Sequence, residues 1–262
     1  MNIQIDKDWW KDIFDEVYLQ TDARSVCDES LTCQEVDFLE QALDLNSDRD
    51  APILDMCGGQ GRHALELARR GFTNVTVLDY SEYLVGVGKK AAQAHDLDIH
   101  FIRGDARNTG LAGDAFQFVL VMGSSFGYFV NEAENKGVLN EAYRMLRPDG
   151  AALLDLPDRD YVLENFKAVS QHKANEDIEV RRTRSLEDEV LYSRETVFSE
   201  EKGPIRDKTY CTRLYSPEAI SDLIYSAGFS AASFSKDFMC RESEGEDYGF
   251  MTNRMVVKAE KD

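Results

Sequence analysis

Hydrophobic and polar residues follow two different periods along the chain. Over residues 1–50 the apolar side chains recur every three to four positions, which predicts helices. The two apolar sets of this region are Trp9, Trp10, Ile13, Phe14 and Val17, then Val36, Phe38, Leu39, Ala42 and Leu43. From residue 52 onwards, short apolar runs alternate with helical stretches. This alternation predicts βαβ units, and therefore a parallel sheet with helices on both of its faces.

The boundaries of this alternation can be set from turn and cap residues. Strands are predicted at 52–57, 75–79, 99–105, 116–123 and 150–157, and helices at 62–71, 82–95 and 132–146. The stretch 174–215 holds three polar–apolar strands joined by short charged turns, which predicts an antiparallel insert. A helix is predicted at 216–229, where Ser216 is the N-cap and Pro217 follows it, and two strands at 230–240 and 250–258.

Four regions follow from these elements. Residues 1–50 are expected to form a helical lid, 51–160 a core, 161–215 an antiparallel cover, and 216–262 a helix and strands that complete the core. A chain of 262 residues with 43% hydrophobic positions can bury a substantial core. A disordered chain and a small disulfide-stapled protein are thereby excluded. The net charge of −19 repels phosphate backbones, so nucleic acid is not an expected partner.

The cysteine and histidine pattern argues against a metal site. Five cysteines occur without any C-x-x-C pair, and the four histidines share no helical ligand spacing. Free thiols suit a reducing compartment, and the N-terminus has neither the basic nor the apolar region of a signal peptide. No apolar run reaches the roughly 18 residues that span a membrane. We therefore expect a cytoplasmic protein with no bound metal and no membrane association.

The segment 55–63, DMCGGQGRH, carries the most chemical information. A strand, a glycine-rich turn and a helix bring backbone N–H groups and the helix dipole to a ligand at the carboxyl end of the strand. Asp79 ends the next strand, 18 residues beyond Gly61, where an acid can hold both hydroxyls of a ribose. Gly59, Gly61 and Ala64 also match the weaker G-x-G-x-x-A pattern of a dinucleotide site.

The same segment resembles motif I of the class I S-adenosylmethionine-dependent methyltransferases, Asp-x-Gly-x-Gly-x-Gly. Asp55, Gly59 and Gly61 match this pattern, and Cys57 stands in place of the first glycine. The resemblance continues through residues 78–81 (ribose segment), 104–106 (adenine segment), 118–123 (fourth strand) and 146–150 (the turn before the fifth strand). It covers residues 50–157 strongly, and 216–262 only in the order of elements.

The resemblance implies a Rossmann-like seven-stranded methyltransferase sheet with helices on both faces, an N-terminal helical lid and an antiparallel β insert. It implies S-adenosyl-L-methionine as cofactor. The residues that it assigns to the cofactor are Asp55, Cys57, Gly58, Gly59, Gly61, Asp79, Tyr80, Asp105, Ala106 and Met122. Asp79 would accept from the ribose hydroxyls, Asp105 from the adenine amine, and Met122 would contact the methionine part.

The expected activity is in-line methyl transfer to an oxygen, nitrogen or carbon atom of a small molecule. The cofactor carries the electrophile, so a catalytic triad is not required, and no catalytic residue is identified. The parts outside the cofactor core are expected to bind the acceptor, through Tyr18, Tyr128, Arg213 and Tyr215. Two alternatives stay open: an NAD(P)-dependent oxidoreductase, and a protein that binds S-adenosyl ligands without catalysis.

Overall fold

A computed structural model describes residues 3–235 and 253–262. Seven strands form the central sheet: β1 (Ile53–Met56), β2 (Val75–Asp79), β3 (Ile99–Arg103), β4 (Phe116–Val121), β5 (Leu146–Pro157), β10 (Ala231–Ser235) and β11 (Arg254–Glu260). Their order is β10-β11-β5-β4-β1-β2-β3. Strand β11 pairs antiparallel with both of its neighbours, β10 and β5, and the other pairs of adjacent strands in this sheet are parallel. This is the seven-stranded methyltransferase sheet expected from the sequence.

The helices precede these strands or lie between strands along the chain. They are α1 (Glu16–Thr21), α2 (Ala23–Val26), α3 (Glu29–Ala42), α4 (Arg62–Arg69), α5 (Glu82–Ala94), α6 (Glu132–Met145), α7 (Arg159–Glu164) and α8 (Pro217–Ser226). Several begin at a side chain that accepts a backbone N–H of the first turn, as Asp28, Ser81 and Ser216 do. All four residues of β1 are buried, because helices cover both faces of the parallel strands.

The strand order creates a crevice beside β1. From β1 the chain proceeds outwards to β2 and β3, and then crosses back to β4 on the other side of β1. Ligands of open α/β sheets bind at such a switch point, outside the carboxyl ends of the strands. The glycine-rich turn after β1 and the loop after β4 both lie at this point.

The antiparallel insert has four strands, where the sequence analysis predicted three. These are β6 (Val169–Lys173), β7 (Ile178–Glu187), β8 (Val190–Ser199) and β9 (Gly203–Arg213), hydrogen-bonded in that order. The prediction missed β6 because this edge strand is short and polar, with exposed and half-buried residues alternating. The short helix α7 before it was also missed.

The N-terminal region differs more from its prediction. The apolar residues spaced over 9–17 do not form one helix: a 3-10 turn spans Trp9–Lys11, and α1 begins only at Glu16. Asp15 interrupts any longer helix, since its carboxylate accepts the N–H groups of Val17 and Tyr18 as an N-cap. Trp9, Trp10 and Ile13 are nevertheless buried, because this segment packs between the core and the insert.

The two final strands were placed approximately. The structure has β10 at Ala231–Ser235 and β11 at Arg254–Glu260, whereas the predictions for 230–240 and 250–258 extend into 236–252. Those residues, Cys240 among them, lie outside the described part of the chain. Within the described residues, no helix is long and apolar enough to cross a membrane.

Candidate active site

A cavity opens at the carboxyl ends of β1 and β4, with an empty volume of about 1290 Å³ that includes the open space at its mouth. Its floor is the glycine-rich turn and the end of β2. Its other walls come from residues 9–26 of the N-terminal segment, from the loop after β4, and from one face of the insert. A single space therefore joins the expected cofactor turn to the regions expected to bind an acceptor.

The turn after β1 allows a ligand to come close to its backbone. Gly59 has φ +59° and Cys57 has φ +61°, both in the left-handed region. A Cβ on Gly58 would lie 2.6 Å from Cγ of Asp55, so only glycine fits beside that carboxyl group. The turn is closed by the Gly61 N–H, which donates to the Gly58 carbonyl at 2.8 Å.

Two carboxyl groups face the cavity from the strand ends. Asp55 is fully buried; the Ala64 backbone N–H faces its carboxyl group, and no side chain among the described residues donates a hydrogen bond to it. Burial raises the pKa of Asp55 to about 7, and the charge of Asp79 adds to this while Arg62 opposes it. Asp79 accepts the backbone N–H groups of Gly59 and Ser81, each at 2.8 Å. Burial also raises the pKa of Asp79, although these two donors favour its charged form.

The adenine side of the expected cofactor site is covered by aromatic and cationic groups. The Trp10 ring lies edge-on against Tyr80 at 4.6 Å, and the Arg107 guanidinium is 4.7 Å from the Trp10 ring centre. Arg107 also donates to Asp105, with Nη2 at 2.7 Å from the carboxylate. Consequently Tyr80, Asp105 and Ala106 do not line the cavity, and their assignment to the cofactor stays a prediction.

The opposite side combines aromatic rings with charged groups of the insert. Tyr128 stacks on Phe14 at 5.6 Å and meets Trp9 edge-on at 5.2 Å. From the insert, six residues line the cavity: Arg182, Arg184, Glu195, Arg206, Tyr210 and Thr212. The sequence analysis missed these six residues. A signal was present, because Arg182 and Arg184 share the alternation of Val180 and Leu186 and so point to the same face of β7.

The residues expected at the site divide into two groups. Eight line the cavity: Asp55, Cys57, Gly58, Gly59, Asp79 and Met122 on the cofactor side, with Tyr18 and Tyr128 on the acceptor side. Six do not line it: Gly61, Tyr80, Asp105, Ala106, Arg213 and Tyr215. Gly61 lies behind the turn, where an added Cβ would be 2.9 Å from the Phe101 ring.

Arg213 and Tyr215 are corrections to the expected acceptor pocket. Side chains alternate between the two faces of β9, and Arg213 is an odd number of residues from Arg206 and Tyr210. The Arg213 side chain therefore points to the other face of the sheet. Its guanidinium donates to the Val130 carbonyl at 2.8 Å. Tyr215 is 3% exposed, with its ring 5.6 Å from that of Phe126 in the hydrophobic core.

A buried ion cluster lies beneath the cavity. Arg254 of β11 pairs with Glu35 of α3 and with Asp155 of β5, both at 2.5 Å, and all three side chains are fully buried. Glu35 also contacts Arg62, and its carboxylate accepts a hydrogen bond from His63 Nε2 at 2.8 Å. Burial, together with Arg62, lowers the pKa of His63 to about 4, although Glu35 opposes this. His63 is therefore neutral at neutral pH.

The described residues contain no group of three or more His, Cys, Asp or Glu side chains placed to hold a metal ion.

Comparison with known proteins agrees with this geometry. Residues 53–150 match the family model of a methyltransferase domain. A putative methyltransferase of Bacillus subtilis, YqeM, is 24% identical over 242 residues, which is 90% of this chain and 95% of that protein. A glycine/sarcosine N-methyltransferase of Parasynechococcus marenigrum is 31% identical over 134 residues, and the match spans somewhat less than half of each chain, 49% and 47%. In fold, a crystal structure of an S-adenosylmethionine-dependent methyltransferase from Clostridium acetobutylicum has a TM-score of 0.75 at 15% identity, covering 94% of this chain and 96% of that one.

Proposed function

We propose that this chain, a class I S-adenosylmethionine-dependent methyltransferase, transfers the cofactor's methyl group to a small molecule held between the glycine-rich turn and the insert. One observation carries the proposal: a single cavity has the turn residues Gly58 and Gly59 on one wall and the aromatic and charged face of the insert on the other. The N-terminal segment covers this cavity, which favours a small acceptor over a macromolecular one. The Parasynechococcus relative, named for methylation of glycine and sarcosine, supports the same size class.

The groups on the floor of the cavity fit the cofactor. S-adenosylmethionine carries a cationic sulfonium and an ammonium group, and Asp55 presents a buried carboxyl to which no side chain among the described residues donates a hydrogen bond. A cation nearby would favour the charged form of a carboxyl whose pKa is about 7 in this structure. Asp79 stands at the end of β2, where a carboxylate can accept ribose hydroxyls.

The chain's own residues then have positioning roles. The cofactor supplies an electrophilic methyl group, so the protein has to align a nucleophile with it and exclude water. The turn 57–61 and Asp79 fix the cofactor end, while Tyr128 and the rings of Trp9 and Phe14 bound the acceptor end. A base is needed only for an acceptor that arrives protonated. His63 reaches the cavity in its neutral form.

We place this reaction in the cytoplasm as part of the proposal. The four described cysteines, Cys27, Cys33, Cys57 and Cys211, are free thiols. Free thiols are typical of reducing compartments.

Two measurements test the proposal. Calorimetry with S-adenosylmethionine, S-adenosylhomocysteine, NAD and NADP should show binding of the two S-adenosyl compounds alone. Incubation with methyl-labelled cofactor and a metabolite extract should then place the label in the small-molecule fraction, and NMR of the product assigns the methylated atom. Binding of a nicotinamide cofactor instead would support an oxidoreductase. S-adenosylmethionine binding with no labelled product from any extract would indicate a non-catalytic binding protein, and label in protein or RNA would overturn the small-molecule acceptor.

A further inference from the structure

The buried ion cluster touches the cavity wall in two separate places. On one side Glu35 contacts the first two residues of α4, which follow the glycine-rich turn and line the cavity. On the other side Oδ2 of Asp155 accepts the backbone N–H of Gly123, a cavity residue in the loop after β4, at 2.9 Å. Arg254 joins the two sides, because it pairs with both Glu35 and Asp155. A continuous chain of buried contacts therefore runs from the start of α4 to the loop after β4.

Stability alone does not account for such a cluster. Arg254, Glu35 and Asp155 are fully buried, and the cost of removing charged groups from water opposes their mutual attraction. Apolar side chains of similar volume are often as stabilising as a buried ion pair. A buried pair can instead fix the relative positions of the elements that carry it, and the contacts of this cluster end at the cavity wall.

The loop that Asp155 contacts has an unfavourable backbone conformation. Gly123 has φ +67° and Ser124 has φ +54°, so two successive residues are left-handed and the second is not glycine. Ser124 is 3% exposed, and its hydroxyl has no hydrogen-bond partner among the described residues. Backbone strain of this kind persists where surrounding contacts impose it, and it is common at ligand sites. The hydrogen bond from Gly123 to Asp155 is such a contact.

The position of this loop relative to the sheet indicates which part of the cofactor it faces. Asp79, the expected ribose acceptor, ends β2 on one side of β1, and β4 lies on the other side. A cofactor with its ribose at β2 and its middle over the glycine-rich turn therefore extends towards the end of β4. Leu120 lies opposite Asp55 in the register of β4 and β1, so Gly123 lies beyond the strand end, beside that turn. The amino-acid end of S-adenosylmethionine is thus expected at Gly123.

We propose that Asp155 is a positioning residue of the cofactor site: it fixes the loop at Gly123 and Ser124, and this loop receives the amino-acid end of S-adenosylmethionine. The inference rests on the proposed function and deepens it, because Asp155 acts on the cofactor through another residue. Gly123 and Ser124 line the cavity, whereas Asp155 lies behind them. Arg254 and Gly123 donate to the same oxygen of Asp155, Oδ2, so Arg254 holds the carboxylate in the orientation that the loop requires.

The test compares two double variants of equal charge and similar side-chain size. Asp155→Asn with Arg254→Met, and Asp155→Leu with Arg254→Met, each remove both charges of one buried pair, while Glu35 keeps its contacts at the start of α4. They differ in one respect, because the amide oxygen of asparagine can still accept the Gly123 N–H and leucine cannot. Calorimetry measures the affinity of each protein for S-adenosylhomocysteine and for methylthioadenosine, which lacks the amino-acid end.

S-adenosylhomocysteine should bind the leucine variant roughly tenfold more weakly than the asparagine variant, because an unsatisfied buried N–H lets the loop leave its position. Methylthioadenosine should bind the two variants equally. Equal affinity of the two variants for S-adenosylhomocysteine would overturn the inference. A parallel loss for methylthioadenosine would also overturn it, since that result would show a general disturbance of the fold.

If either double variant does not fold by circular dichroism, Asp155→Glu decides. It keeps a carboxylate for Arg254 but displaces the acceptor of the Gly123 N–H by one methylene group. S-adenosylhomocysteine alone should then bind more weakly than it does to the wild type. Unchanged affinity for it, or an equal loss for both ligands, would overturn the inference.

The wild type separates this inference from the proposed function. If the wild type binds S-adenosylhomocysteine and the two double variants bind it equally, Asp155 has no positioning role and the proposed function is unaffected. If the wild type binds neither S-adenosyl compound, the proposed function is wrong and the role of Asp155 falls with it.

Discussion

The carboxylate of Asp79 accepts the backbone N–H of Gly59 at 2.8 Å, and so ties the end of β2 to the glycine-rich turn after β1. The two residues are 20 positions apart and belong to neighbouring parallel strands. This contact explains how the turn is held open towards the cavity. In the proposed function, Asp79 holds the cofactor both through the turn and through its own carboxylate.

Replacing Asp79 should therefore weaken cofactor binding strongly. Asp79→Ala removes a charged acceptor worth about 1.5–3 kcal/mol per hydrogen bond, and we expect the affinity for S-adenosylmethionine to fall roughly tenfold or more. Calorimetry measures this directly. Asp98→Ala removes an exposed carboxylate near β3 and should bind as the wild type does. Unchanged affinity in a folded Asp79→Ala protein would remove Asp79 from the site.

Substitution of Gly59 tests whether the cofactor lies close to the backbone of the turn. Gly59→Val imposes a left-handed strain of about 1–2 kcal/mol and adds a side chain at the cavity wall. Gly110→Val is the matched control, because Gly110 has φ +69° but open space where its Cβ would lie. Both variants should lose similar stability in urea unfolding, and Gly59→Val alone should lose cofactor binding. Equal cofactor affinity in the two variants would show that the turn does not contact the cofactor.

The raised pKa of Asp55 predicts that the stability of the folded protein depends on pH. Its pKa is raised in the folded state to about 7, so the native protein holds this proton more tightly than the unfolded chain does. The stability that the proton contributes is present at low pH and is lost as pH rises to 7. Between pH 5 and pH 8 the wild type should lose on the order of 2–3 kcal/mol relative to Asp55→Asn, measured by urea unfolding without cofactor. A difference between the two proteins that does not change with pH contradicts the assignment.

The two tryptophans of the chain both lie in the N-terminal segment, so changes around this segment can be followed by tryptophan fluorescence. Trp10 touches Tyr80, the residue after Asp79, so cofactor binding should alter its fluorescence. We expect Trp10→Phe to abolish most of this change. Trp9→Phe, which alters the ring packed against Tyr128, should retain it. Identical responses from the two variants would show that Trp10 does not sense the cofactor.

The buried ion cluster should be costly to break. Arg254→Met leaves Glu35 and Asp155 buried without their common cation, and we expect a loss of about 3–5 kcal/mol in the free energy of unfolding. Lys258→Met, at a partly exposed position on the same strand, should cost less than about 0.5 kcal/mol. Urea unfolding followed by circular dichroism compares the two. A similar small loss in both variants would show that the cluster contributes little.

Some parts of the site could be predicted from the sequence because they are local. Asp55, Gly58 and Gly59 lie within five residues, and their arrangement follows from a strand, a tight turn and a helix in succession. Asp79 could be placed with them because neighbouring parallel strands end at the same edge of a sheet. The charged residues that β7 turns to the cavity, Arg182 and Arg184, could have been recognised from the alternation in that strand, but alternation alone does not say which face of a sheet is covered.

The sequence by itself determined the alternating core, the glycine-rich turn and the acid at the end of β2, since each depends on periodicity or on backbone conformation over a few residues. The tertiary structure decided what faces the cavity. Because side chains alternate between the two faces of β9, Arg206 points towards the cavity and Arg213 away from it. The N-terminal segment took its shape from packing between the core and the insert rather than from helical spacing. The pairing of Glu35 with Arg254 joins residues 219 positions apart. Such contacts depend on how whole elements pack, which a local pattern does not contain.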